Sequence, residues 1–169
     1  MRNAVDDMNL AVAAAEELAG KYLTFALGDE EYGVQVLKVR EIIKMMDITS
    51  VPQVPPHVKG LINLRGKVIP VVDLRLKFSF PEHGYTERTC IVVVEVALAT
   101  ATVMMGIIVD AVSEVLTITA AEIEQTPQFG ERVTTDYMKG VAKVKGTVKI
   151  LLDLDRVLGT DGTISLHAA

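Results

Sequence analysis

The 169-residue chain has a single cysteine, no tryptophan and three histidines, and only 5% of its residues are aromatic. Cys90 has no second cysteine to bridge to, and its place in an apolar run marks it as a small buried hydrophobe in a reducing compartment. His57, His83 and His167 are dispersed, none in H-E-x-x-H spacing or beside the cysteine. Local spacing therefore supplies neither a zinc ligand set nor a nucleophile with its base. Neither glycine-rich nucleotide fingerprint occurs, so no cofactor is expected and a phosphate cradle has no support. Positive charge is also short: 17 Lys and Arg against 22 Asp and Glu leave −5, unlike a nucleic-acid-binding surface. The first twenty residues carry Asp6, Asp7, Glu16 and Glu17 and lack the basic start and apolar stretch of a secretory signal. Residues 1–20 are expected to be a flexible or helical tail, with residues 161–169 a second tail.

What the chain does have is duplication. Lys59-Gly60-Leu61-Ile62-Asn63-Leu64-Arg65-Gly66-Lys67-Val68-Ile69-Pro70-Val71-Val72-Asp73-Leu74 is answered, 80 residues on, by Lys139-Gly140 through Asp153-Leu154 without a gap. Gly33-Val34-Gln35-Val36 with Val39, Glu41, Ile42 and Ile43 is answered, 73 residues on, by Gly106-Ile107-Ile108-Val109 with Val112, Glu114, Val115 and Leu116. Each half holds one copy of each motif in the same order. This gives repeat units of about 21–78 and 88–158, the size of small barrels.

Between and within these copies the pattern is short strands. Lys21–Leu27 runs into Gly28-Asp29-Glu30-Glu31, a hairpin turn whose residues tolerate the backbone angles required. The repeat aligns that turn with residues 101–104. Leu37–Ile43 fits a short helix or a strand. Pro52, Pro55 and Pro56 stiffen a connector; their P-x-x-P spacing is read as linker rather than ligand. Strands at 61–65 and 67–72 flank the Arg65-Gly66 turn, and Pro70 belongs at an edge or bulge. Asp73 and Asp153 each precede a short helical pattern, Leu74–Phe78 and Leu154–Leu158, as capping carboxylates. Thr119-Ala120-Ala121-Glu122 has capping-box spacing, and Pro127–Thr135 reads as loop. Residues 90–109 are apolar enough for a membrane helix, but the β-branched run Ile91–Val94 and the repeat favour two buried strands.

Catalytic candidates are few. Glu41 and Glu114 hold equivalent places and either pair across a pseudo-twofold or lie separately at the surface. Arg65 is a guanidinium on a turn, either simply solvated or offering a planar fork for carboxylate or backbone recognition.

Gly28-Asp29-Glu30-Glu31-Tyr32-Gly33, Val39-Arg40-Glu41-Ile42, Lys59-Gly60, Asn63-Leu64-Arg65-Gly66, Val68–Leu74 and Gly106–Asp110 together resemble the bacterial chemotaxis coupling proteins of the CheW family. The resemblance covers roughly residues 20–160. It implies a mainly β fold of two SH3-like five-stranded β barrels packed together, with short helices, forming a single domain over residues 21–160. It further implies a non-enzymatic, cytoplasmic adaptor at the inner face of the membrane. Such an adaptor joins the cytoplasmic tips of chemoreceptors to the regulatory domain of the chemotaxis histidine kinase, itself a double barrel. Carried onto matching positions, Val39, Glu41, Gly60, Asn63, Arg65, Ile91 and Gly106 are the implied receptor-binding or groove-supporting residues. The kinase-contact residues are unassigned. Residues 97–102 depart from the family pattern in lacking a polar turn. The alternative readings are a generic SH3-like peptide-binding module, which the scarcity of aromatic residues argues against, and the coupling protein of a non-motility chemosensory pathway.

Overall fold

The computed structural model describes residues 13, 15–81, 83–124 and 137–159. The expected loop at 127–135 and the expected tail at 161–169 lie outside these residues. Among the described residues eleven strands form two sheets: β1 (Gly20–Leu27), β2 (Glu30–Gln35), β3 (Val39–Lys44), β4 (Val58–Leu64), β5 (Lys67–Asp73), β6 (Cys90–Ala97), β7 (Thr102–Val109), β8 (Ala111–Ile118), β9 (Ile123–Glu124), β10 (Met138–Val144) and β11 (Thr147–Leu152). The helical segments among the described residues are a turn at residues 15–18, α1 (Leu74–Lys77) and α2 (Leu154–Gly159), with 3₁₀ turns at Val36–Lys38 and Ala120–Glu122. The segment left open between helix and strand is thus a 3₁₀ turn followed by β3.

One sheet has the order β8-β1-β2-β11-β10-β9 and the other β3-β6-β7-β5-β4. Each mixes strands from both repeat units: β1 and β2 lie with β8, β10 and β11, while β6 and β7 lie with β3, β4 and β5. The division at 21–78 and 88–158 is a division of the sequence and not of the sheets, because the units have exchanged their first hairpins. The exchanged hairpins are joined through parallel ladders, β2 to β11 and β7 to β5. The tip of each sheet's edge strand then returns to its opposite edge. Thr49, beyond β3, bridges Leu61 of β4, and β9, beyond β8, pairs with β10.

Side chains alternate along strands between two faces. In β6, Ile91 and Val93 enter one cluster with Ile62, Ile69, Val71 and Ile108. Val92, Val94 and Val96 enter the layer between the sheets with Phe25, Val34, Val72 and Ile107. A third cluster, around Tyr22, Ile118, Val144 and Leu151, fills the other sheet's hollow. Burial on both faces explains why residues 90–109 read as one long apolar run. They form β6 and β7, and among the described residues no helix is long and apolar enough to cross a membrane.

The hairpin turn expected at 101–104 falls at 98–101 instead. Ala97 pairs with Thr102, and Leu98 N–H donates to the Ala101 carbonyl at 2.8 Å. The β-branched Thr102 and Val103 extend the ladder where a Gly-Asp pair would have turned the chain. Arg65-Gly66 and Lys145-Gly146 both carry positive φ at each residue (50° and 86°, 52° and 80°), as a two-residue hairpin of right-handed twist requires. Asp73 caps α1 by accepting from Arg75 N at 3.0 Å, and Asp153 accepts from Arg156 N at 3.3 Å. Glu122 accepts from the Thr119 amide and hydroxyl at 2.9 and 3.0 Å. The Thr119 amide, preferring the charged acceptor, holds the Glu122 carboxyl below the ordinary glutamate range. Pro70 lies one residue outside the β5–β7 ladder, which covers Val71–Asp73, so on that side it is locally at an edge. Cys90 is half-buried, and burial raises its thiol. A helical turn at residues 15–18 packs Ala15 and Leu18 on the Tyr22 cluster.

Candidate functional site

The Lys-Gly signature of both repeats is a bulge. Register shifts by one residue between Val58 and Gly60 against β5, and between Met138 and Gly140 against β11. The bent strand brings the closing segment onto the glycine, where a methyl group would lie 2.0 Å from the Thr49 carbonyl oxygen at Gly60 and 2.9 Å from that of Glu124 at Gly140. Gly60 also has φ of +140°. A second duplicated bulge lies on β3 between Val39 and Glu41 and on β8 opposite Thr24 and Phe25. It re-aims Glu41, as bulges do.

Six of the seven expected residues fall into two layers of the second sheet, and the seventh, Val39, packs toward the other sheet. Glu41, Asn63 and Arg65 meet solvent; Arg65 is 71% exposed and is ion-paired with Glu41 across 24 residues of chain. Asn63 Oδ1 accepts from Gly66 N at 2.9 Å and fixes the turn that presents Arg65. Val39 is half-buried against the layer between the sheets. Gly60, Ile91 and Gly106 lie beneath: Ile91 is fully buried, and a methyl group on Gly106 would stand 2.8 Å from its Cγ2. Arg65 is therefore neither a free solvated charge nor a core residue but one half of a surface ion pair. Glu114 does not join it. That residue sits on β8 of the other sheet, its backbone bonded to Thr24 Oγ1 at 2.9 and 3.2 Å, so the two glutamates belong to separate edges.

Two features escaped the sequence reading. The first is a buried ion cluster: Arg75 clasps Asp73 through Nε and Nη2 at 3.0 and 2.9 Å and reaches Asp110 through Nη1 at 3.2 Å. Hydrogen bonding to Asp73 raises the already high Arg75 pKa, so it stays cationic. The arginine follows a capping aspartate, but its second partner is distant in sequence and gave no signal. The second is a groove of about 360 Å³ lined by Tyr32, Phe78, Phe80, Tyr137 and Ile150, among others. Aromatics are few, yet four of the seven among the described residues gather there, with Tyr32, Phe78 and Tyr137 in successive ring contact at 5.8 and 5.9 Å. None of the seven expected residues lines it. Among the described residues no three His, Cys, Asp or Glu side chains converge to hold a metal.

The exchanged hairpins, duplicated bulges and closing bridges define a scaffold of two SH3-like subdomains, whose polar side chains hold backbone and one another. The CheW-like domain family matches residues 21–161, and the chain belongs to the CheW family of chemotaxis scaffold proteins, which couple receptors and kinase and are not catalytic. It is 36% identical over 148 residues to the chemotaxis protein CheW of Klebsiella aerogenes, covering 88% of this chain and 87% of that one. With the CheW of Bacillus subtilis it shares 32% identity over 145 residues, covering 86% and 90% of the two chains. The crystal structure of the scaffolding protein TtCheW from Thermoanaerobacter tengcongensis superposes with a TM-score of 0.74 at 34% identity, over 86% of this chain and 96% of that one.

Proposed function

We propose that this chain joins the cytoplasmic tips of chemoreceptors to the regulatory domain of a chemotaxis histidine kinase, in the cytoplasm at the inner face of the membrane. The observation that carries the receptor assignment is the Glu41–Arg65 pair, set by a bulge and a two-residue turn beside the half-buried Val39. An ion pair this exposed contributes little to stability, about 0.2–1 kcal/mol, and is free to exchange its partner for a receptor group. In this reading Val39, Glu41, Asn63 and Arg65 form the contact, and Gly60, Ile91 and Gly106 support its shape from below.

The test is affinity capture of the tagged protein from its native cells, with Arg65→Ala in parallel. A chemotaxis kinase and receptors are expected with the parent protein, and fewer receptors with the variant, whose melting temperature stays within a few degrees of the parent. Capture of neither partner would favour a generic protein-binding module. A large fall in melting temperature for Arg65→Ala would make its role structural.

A further inference from the structure

The two short helices carry opposite charges at equivalent places. Arg75 of α1 and Asp155 of α2 stand 80 residues apart, in register with the repeat. Each meets the segment where the chain passes from one sheet to the other. Arg75 Nη1 reaches Asp110, between β7 and β8, at 3.2 Å. Asp155 Oδ1 and Oδ2 accept from Lys38 Nζ, just before β3, at 3.0 and 3.1 Å. Each junction also includes the end of an exchanged hairpin. Gly28 N donates to Asp110 Oδ2 at 2.7 Å, and Ala97 N donates to Asp155 Oδ1 at 2.8 Å. The same three-way junction of helix, crossover and hairpin is thus built twice with its polarity reversed.

The two copies differ in depth. Arg75 and Asp73 are buried, and a buried pair is costly to break. Lys38 and Asp155 are 26% and 35% exposed, so water reaches and screens this pair more than the buried one. What Asp155 supplies is geometry: one carboxylate ties the residue before Val39 to the tip of the β6–β7 hairpin.

We propose that Asp155 and Lys38 are a positioning pair for the receptor-facing start of β3, with α2 serving as the clip that fixes β3 against the β6–β7 hairpin. This rests on the receptor reading of Val39 and Glu41. Two arms of the test separate the ideas in the full-length chain. In the first, with no partner present, amide exchange and chemical shifts are read for Ala97 and for Val39–Glu41. Asp155→Ala should raise Ala97 exchange about tenfold by removing its acceptor and should move the Val39–Glu41 signals. Asp155→Asn, which keeps an acceptor oxygen but no charge, should restore Ala97 protection and leave Val39–Glu41 displaced. Unchanged Val39–Glu41 signals in Asp155→Ala overturn the proposal.

In the second arm, affinity for a soluble helical-hairpin fragment of a receptor tip is compared among the parent, Asp155→Ala and Arg65→Ala. A loss of roughly three- to tenfold for Asp155→Ala with little change in melting temperature supports positioning. A loss for Arg65→Ala alone overturns it. No loss for either variant removes the docking function from this face, and with it the reason for positioning it.

Discussion

A methyl group on Gly106 would stand 2.8 Å from Ile91 Cγ2 and 3.3 Å from Val71 Cγ2, whereas on its counterpart Gly33 the nearest atom would be Leu151 Cδ2 at 3.2 Å, with Tyr22 at an ordinary contact distance of 3.5 Å. The first neighbours are β-branched and stiff; the second is the free end of a leucine, which can turn aside. Gly106→Ala should therefore cost about 1–3 kcal/mol through overpacking, and Gly33→Ala less, as urea melts of the two variants would show. Gly106→Asp places a carboxylate among Ile91, Val71 and Ile108 and should cost more than about 3 kcal/mol. Its effect on receptor binding is then that of a damaged fold, and a variant that melted like the parent would contradict this. The repeat alone put Gly33 and Gly106 in equivalent places. It carried no sign of the difference between them, because the neighbours arrive from β6, β5 and β11 through long-range pairing. Arg65 was legible as a special turn residue, but its partner Glu41 was not, for the same reason.

At the scale of elements, the legible features were those with local causes. The Gly28-Asp29 and Arg65-Gly66 turns, the Asp73 and Asp153 caps and the Thr119–Glu122 box each depend on residues within a few positions of one another. The 98–101 loop was displaced from its expected place because only pairing across the hairpin determines where such a β-branched stretch turns. The Lys-Gly motif was visible as a repeat, but its reason is a non-local one: the strand bulges there so that a distant segment can close the sheet. Gly60→Ala brings this to a test. With Thr49 O occupying the place of the new methyl group and φ at +140°, the Thr49–Leu61 bridge must open. Their mutual amide bonds, both 2.8 Å, should lose exchange protection by about tenfold or more, while those of β1 and β2 keep theirs. Loss of protection spread evenly over both sheets would show that the bridge is not a separate local unit.

For the whole molecule, the sequence announced two similar units but not which strands they share. A hairpin flanked by the same repeat chemistry on either side carries no local mark of the sheet it joins, and parallel ladders need no turn between neighbouring strands. The expected consequence is that neither unit folds on its own. The β1–β2 hairpin has both sheet neighbours, β8 and β11, in the second half of the chain. The β6–β7 hairpin has both of its own, β3 and β5, in the first. The layer between the sheets draws Phe25, Val34 and Val72 from one half and Val92, Val94 and Ile107 from the other. If the chain is divided in the exposed connector between Glu87 and Arg88, each fragment is long enough for a small domain of its own, so size does not prevent folding. Each fragment nevertheless has two unpartnered strand groups and half a core. Expressed separately, both should give the narrow amide dispersion of unfolded chains. Mixed in equal amounts, they should assemble into one 1:1 complex with the spectrum of the intact protein. A dispersed, cooperative melt from either fragment alone would mean that the exchanged hairpins can return to their own halves, and that the crossover is one of two accessible arrangements.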